Sequence, residues 1–337
     1  MSEPTYWPIS FEGKELHQDA LIWDAHSVLP LTTDIDVTHL ERHAQFGVNY
    51  VSINIGMDFN PIEQIMGVLG HFRSALRHSS KSLLLADSLE SIWRAKREGK
   101  LAVGFDLEGS DMLGGRLSML ELFKDLGVKQ LHLIYNRSNS VGGGCHDSED
   151  NGLTDFGRRA VAEINRLGMV LDASHAGERT SLEMIEASAK PVVFSHANAR
   201  ALTDHPRNIS DDQIRACAAS GGVIGVNGVA LFLGDETASV NAVLDHIDHI
   251  AGLVGVDHVG IGLDFEFLPD PSERPPGFDS EAWWPSDLGY GVLSQTITPP
   301  DKLPDITEGL IVRGYDHGDI RKILGQNFFR VAQATWR

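Results

Sequence analysis

The stretch LIWDAHSVLP, Leu21 to Pro30, opens apolar and then places Asp24 and His26 two positions apart. The same pattern returns along the chain. AVGFDLEG ends on Asp106 and Glu108, GMVLDASH on His175, PVVFSH on His196 and HVGIGLDF near Asp264. Each polar group follows a run that must be buried. Three imidazoles and a carboxylate in such places suit a divalent cation, because imidazole nitrogen and carboxylate oxygen are the donors zinc accepts. Burying a charged carboxylate without a partner is costly, and a cation is the partner Glu108 needs. Val28 stands two positions after His26, where a second carboxylate could help hold the ion. His17, His39, His71 and the pair His246 and His249 read as surface or helix-face residues. GGGCH, Gly142 to His146, lacks the context of a phosphate loop and reads as a flexible turn.

These groups need a scaffold that gathers strand ends. Eight short apolar runs recur, near positions 21, 47, 101, 129, 168, 191, 221 and 258. They are continuous rather than alternating, so both faces are expected to be covered, as in a parallel sheet. Helical patterns separate most of them, among them NPIEQIMGVLGHFRSALR, DFGRRAVAEINRLG and ASVNAVLDHIDHIAGLVG. The Gly that ends the second reads as a helix stop. Regular alternation of strand and helix predicts an α/β fold, a (β/α)8 barrel spanning residues 1–337 as one domain. A doubly wound open sheet is the structural rival. Residues 265–304, rich in Pro and aromatics, break the rhythm and predict a long loop after the last strand, lying over the catalytic face. The terminal segment ITEGLIVRGYDHGDIRKILGQNFFRVAQATW reads as helices closing the ring.

Lys plus Arg total 28 against 47 Asp plus Glu, a net charge of −19. Such a balance argues against nucleic acid or an anionic membrane as partner and leaves a small molecule. Two cysteines, Cys145 and Cys217, allow no dense disulfide framework and are compatible with a reducing compartment. The N-terminal stretch MSEPTYWPISFEGKEL shows no signal peptide, no apolar run could span a bilayer, and a cytoplasmic location is expected.

The set of strand ends resembles the membrane dipeptidase (renal dipeptidase) family of the amidohydrolase superfamily, over about residues 20 to 335. DAHSVLP is similar to that family's first-strand His-x-Asp segment, with His26 as a ligand. Glu108 in DLEGS fits its bridging Glu, and His175 in LDASHAG and His196 in VVFSHAN fit its two further His ligands. Asp264 in GIGLDFE fits its acid/base Asp, and Arg207 in HPRNISDD fits the Arg that holds a substrate carboxylate. GQNFFRV, Gly325 to Val331, is similar to its closing helix. Two positions depart. Val28 replaces the second first-strand ligand. Tyr135, in LHLIYNRSN, stands where mammalian members have a substrate-contacting His, and its hydroxyl can still donate to a developing oxyanion.

The resemblance implies a zinc-dependent dipeptidase-like hydrolase and a homodimer. Its substrate would be a dipeptide or dipeptide-like amide with a free carboxylate. Catalysis would rest on Asp264 and Tyr135, substrate binding on Arg207 and Tyr135. His26, Glu108, His175 and His196 would hold one or two zinc ions. The Glu108, His175 and His196 site is expected intact. The other keeps His26 and a share of Glu108, and is weak, empty or completed by a further residue; Asp24 and Asp106 are nearest in sequence and read as supporting carboxylates. Apart from the resemblance, Trp283 and Trp284 read as aromatics packing onto the barrel, with a lid over the side-chain pocket as the alternative. Two alternatives stay open: a mononuclear enzyme of the same fold acting on another substrate (another amide hydrolase, a lyase or an isomerase), or a degraded relative that only binds. The chain shows no C-terminal apolar tail, so no lipid anchor is expected.

Overall fold

The computed structural model describes residues 9–78 and 81–337. Residues 1–8, the start of the stretch read above as carrying no signal peptide, and residues 79–80 lie outside the described residues. Each of the eight apolar runs carries one barrel strand: β1 Trp23–Val28, β2 Tyr50–Met57, β3 Leu101–Glu108, β4 Val128–His132, β5 Val170–Asp172, β6 Val192–Val193, β7 Ile224–Val226 and β8 Val259–Ile261. Neighbours pair in parallel from β1 to β6 and from β7 to β8. Phe194, one residue past β6, bridges in parallel to Ile224 of β7. Asp24 of β1 lies opposite Ile261 of β8. Those two contacts close the ring. An open doubly wound sheet would instead leave two unpaired edges.

All residues of β2 and β3 are buried, as continuous apolar runs require when helices cover the outside and side chains fill the inside. The outer helices include Ile62–His78, Asp155–Leu167, Asp211–Ala219 and Val240–Val254. Local chemistry sets their ends. Ser210 and Gln213 form a reciprocal cap at one start, and Gly168, at φ 75°, stops the helix before it in the left-handed conformation. Gly262 is needed for close approach: a Cβ there would lie 1.8 Å from the Ser195 carbonyl oxygen. Its absence lets β8 and the end of β6 crowd together at the barrel mouth.

Three elements escaped the periodicity reading. A helix, Phe11–Asp19, docks on the helix Leu303–Val312 through Ser10, which donates to Glu308 from both its backbone N–H and its hydroxyl. A short strand, Leu83–Leu85, pairs with Leu101–Val103. It covers the edge that β4 leaves bare, since β4 joins β3 only from Phe105 onward. Phe265–Glu266 adds beside the end of β1, with Val28 opposite Glu266. No helix among the described residues is long and apolar enough to cross a membrane.

Register is what positions the chemistry. Glu108 on β3 lies opposite His132 on β4, which lies opposite Asp172 on β5. Partners in a parallel sheet share a face, so these three side chains project together into the barrel interior.

Candidate metal centre

One carboxylate oxygen is the hub. Glu108 Oε1 lies 2.9 Å from His175 Nε2, 3.5 Å from His196 Nε2, 3.6 Å from His26 Nε2 and 3.7 Å from His132 Nδ1. Its other oxygen accepts from the Asn54 side-chain amide, which turns Oε1 toward the centre. All four imidazoles are buried. The potential ligand atoms of Glu108, His132, His175 and His196 lie within 4.8 Å of one another, and so do those of His26, His196 and Asp264.

Three of the rings are tied at the far nitrogen, and the fourth, His26, faces a carboxylate there. His175 Nδ1 is 2.6 Å from Asn136 Oδ1, and His196 Nδ1 is 2.7 Å from Ser195 Oγ. His132 Nε2 is 3.0 Å from Asp172 Oδ2, and His26 Nδ1 faces Asp106 Oδ1 at 3.2 Å. A ring held this way keeps its proton on the tied nitrogen and turns the other lone pair inward, the arrangement that orients metal-binding His. The inward atoms then have few partners; Arg207 Nη2 lies 3.3 Å from His175 Nε2. Both nitrogens of His26, His132 Nδ1 and Asp106 Oδ1 are buried without a hydrogen-bond partner, so the approach of His26 to Asp106 is not a hydrogen bond. His175 Nε2 and His196 Nε2 face each other at 2.9 Å, where two inward lone pairs repel unless a cation sits between them. The residues present therefore fit a divalent ion.

The electrostatics agree for two of the rings, His175 and His196; at His26 and His132 burial opposes charge but the neighbouring carboxylates outweigh it. Burial lowers the basicity of His175 and His196 well below the ordinary imidazole range, with Arg207 and His26 adding to it. Both rings are held neutral, the form that binds metal. Burial opposes charge on His26, but Asp106 and then Glu108 outweigh it and push the ring up to about 10. Burial lifts Glu108 to about 7 against the pull of His26 and His132, and it raises Asp264. Asp172 is drawn down to about 2: burial works against it, but His132 and donors from Ser195 and Ser174 prevail.

Above the cluster opens a cavity of about 380 Å³. Glu108, His175 and Asp264 form its floor, with Arg207 and Tyr135 in its walls. Asp264 Oδ2 accepts from Asn227 at 2.9 Å, while Oδ1 faces His26 Nε2 at 3.7 Å. Arg207 donates to the His196 carbonyl at 3.2 Å and, among the described residues, meets no carboxylate. The Tyr135 hydroxyl accepts from Trp284 Nε1 at 2.9 Å, leaving its own proton free. Trp284, Tyr290, Arg274 and Glu273 bring the segment 265–304 to the cavity wall. Trp283 packs its ring 5.9 Å from that of Tyr135. His175, Asp264 and Asn136 take positive φ, at 69°, 58° and 56°, a conformation that side chains other than Gly rarely hold.

The structure thus brings His26, Glu108, His175 and His196 to one cluster and sets Asp264, Arg207 and Tyr135 around the cavity above it. Asp106 backs His26. Asp24 accepts from the Leu263 backbone N–H and pairs with His43, away from the hub. Val28 lines the cavity. His132 was missed. Its signal was a polar residue inside the apolar run KQLHLIYN, where an inward position gave it a reason to be polar. One other reading needs correction. Gly142–Gly144 is buried and pinned, with Cys145 N–H donating to the His175 carbonyl and Gly177 N–H to Gly143. It is a brace for the His175 turn rather than a flexible loop. His17 and His246 lie on helices, as read from the sequence, and are buried there.

A closed parallel barrel with imidazoles and carboxylates gathered at its strand ends defines a (β/α)8 barrel of the metal-dependent hydrolase type. The sequence places it further: residues 14–274 match the family described as membrane dipeptidase (peptidase family M19), and the chain belongs to that family. It is 33% identical over 232 residues to an uncharacterized dipeptidase of Schizosaccharomyces pombe, covering 66% of this chain and 53% of that protein. The chain therefore spans about half the length of that relative. Among solved structures it superposes on an amidohydrolase from Pseudomonas aeruginosa with a TM-score of 0.83 and 29% identity, covering 96% of this chain and 99% of that one. A metallo peptidase from Rhodobacter sphaeroides, solved with a phosphinate mimic of the dipeptide L-Ala-D-Ala, shares the fold at a TM-score of 0.77. It is 24% identical, over 94% of this chain and 100% of that one.

Proposed function

We propose that this chain is a zinc-dependent hydrolase cleaving the amide bond of dipeptides or dipeptide-like small molecules that carry a free carboxylate. The observation that carries the reading is the ring of tied imidazoles turned on Glu108 Oε1, beneath a cavity that holds an Arg with no carboxylate partner. His26, Glu108, His175 and His196 would hold the ion. Bound there, a divalent cation supplies an activated water and polarises an amide carbonyl.

The remaining work falls to the chain's own groups. Asp264 Oδ1 faces the centre while Asn227 fixes Oδ2. It takes the proton from the attacking water and returns it to the departing amine. Tyr135, its oxygen already accepting from Trp284, donates its hydroxyl proton to the carbonyl oxygen as negative charge builds there. Arg207, steadied by the His196 carbonyl, presents its planar fork to the substrate carboxylate and sets the scissile bond over the floor. The R. sphaeroides peptidase, with its dipeptide mimic on the same fold, supports this size of substrate.

The test is hydrolysis of a dipeptide panel with L and D residues at the C-terminal position, assayed on zinc-loaded protein beside C-terminally amidated copies. Release of amino acids from free dipeptides alone is expected. Turnover of neither set by protein carrying metal overturns the reading.

A further inference from the structure

The resemblance assigns three imidazoles to the centre, and the structure supplies four. Val28 cannot bind a metal, so the first strand offers one ligand where a His-x-Asp pair would offer two. The unassigned ring, His132, sits at the hub's own level on the next strand, opposite Glu108 in register. Its ring centroid is 5.3 Å from those of both His26 and His196.

Its hydrogen bonding decides which nitrogen can act. Asp172 Oδ2 lies 3.0 Å from His132 Nε2 and also accepts from Gln130 Nε2 at 3.0 Å. Asp172 Oδ1 accepts the backbone N–H groups of Ser174 at 2.9 Å and Ser195 at 3.2 Å. A carboxylate held by so many donors is a fixed acceptor, so Nε2 carries the ring proton. Nδ1 then presents a lone pair to the centre. It is fully buried, has no hydrogen-bond partner, and stands 3.7 Å from Glu108 Oε1, too far for a hydrogen bond. The competing state is an imidazolium between Asp172 and Glu108. It would leave the Nδ1 proton buried with no acceptor within hydrogen-bond reach, which is costly. A cation answers both problems.

We propose that His132 is a metal ligand through Nδ1 and takes up the coordination that Val28 removes. The centre is then built from His26, His132, His175, His196 and Glu108. The carboxylate lost from β1 is replaced by an imidazole from β4, and Asp172 holds that imidazole in its binding tautomer. The inference rests on the centre holding a divalent ion.

The experiment uses the full chain, labelled with ¹⁵N-histidine and reconstituted with ¹¹³Cd. Cadmium–nitrogen couplings show which imidazoles bind and through which atom. One imidazole coupled through Nδ1 is expected, with the others coupled through Nε2. The Nδ1 signal should vanish in His132→Gln, checked for folding by circular dichroism. Zinc affinity in a chelator competition should fall by more than about 10²-fold in His132→Gln, and by about 10-fold to 10²-fold in Asp172→Asn, which disturbs only the tautomer. Cadmium bound with every coupled ring engaged through Nε2, or a His132 ring protonated at both nitrogens, overturns the role of His132 and leaves the hydrolase reading standing. Protein that binds no cadmium or zinc overturns both. The labelled wild-type chain reports on its own, so failure of a variant to fold does not remove the test.

Discussion

Two sets of buried imidazoles sit in this molecule under opposite conditions. In the helical layer, His17 and His246 have both ring nitrogens paired, while His43 pairs Nε2 with Asp24 and keeps Nδ1 unpaired. His17 Nδ1 meets Thr307 Oγ1 at 2.7 Å and Nε2 meets the Phe46 carbonyl at 3.0 Å. His246 Nδ1 accepts the Ala199 N–H at 3.2 Å, and Nε2 faces the Leu233 carbonyl at 3.4 Å. At the barrel mouth, His132, His175 and His196 are each tied at one nitrogen and His26 faces Asp106 with one, and all four turn the other on a shared carboxylate. A saturated buried imidazole is a bolt. A half-saturated one is a socket, because burying an unpaired polar atom is costly unless something occupies the gap. Burial alone does not separate the two classes; a free second nitrogen does so only where it is turned on a shared carboxylate, as the unpaired Nδ1 of His43, away from the hub, shows.

Changes at the mouth should therefore remove metal and turnover while sparing the fold, and changes in the helical layer should do the reverse. The largest effect is expected for Glu108→Ala. It removes the hub and should lower metal content together with kcat/KM by about 10³-fold or more. Unchanged metal by elemental analysis would break the comparison at its centre. Asp264→Asn keeps the ligand rings and should lower kcat by about 10²-fold to 10⁴-fold with metal retained. Arg207→Ala should cost about 10-fold to 10²-fold in kcat/KM on substrates with a free carboxylate. An equal loss on amidated substrates would show that Arg207 acts on the centre rather than on the ligand.

A paired ring should report through stability instead. Burial lowers His246 to about 4 from the ordinary 6.5. The unfolded chain then takes up a proton that the fold refuses, so the contribution of His246 is intact above pH 6.5 and is lost as pH falls toward 4. Between pH 7 and pH 5 this amounts to about 2 kcal/mol. Urea midpoints should fall across that range and fall less in His246→Gln. The smallest effect is expected from a gain. Val28→Asp restores a carboxylate beside the unpaired nitrogen of His26 and should tighten binding of the most weakly held metal equivalent by about 10-fold. No change in a chelator competition would mean that position 28 no longer faces the ion.

Legibility in the sequence followed range. The eight strands were readable because each is a short local run, and His26, Glu108, His175, His196 and Asp264 because each interrupts or ends one. His132 was hidden by its leucine neighbours, which face the helices while it faces inward. Its meaning depends on Asp172, forty positions further on and adjacent only through the β4–β5 register. Leu83–Leu85 was missed because its purpose is to cover an edge created elsewhere. The GGGCH segment was misread because its partners lie on the far side of the His175 turn.

The left-handed backbone at Asp264 bears on how such a protein can change over time. At φ 58° the residues that suffer least are Gly, Asn and Asp. Asparagine, reached from Asp by one nucleotide change, therefore satisfies the turn while withdrawing the carboxylate proposed above to carry the proton. A lineage built on this frame can fall silent as an enzyme in a single step while its barrel, its cavity and its Arg207 persist. The geometry of one peptide unit thus leaves open a short road from catalysis to binding alone.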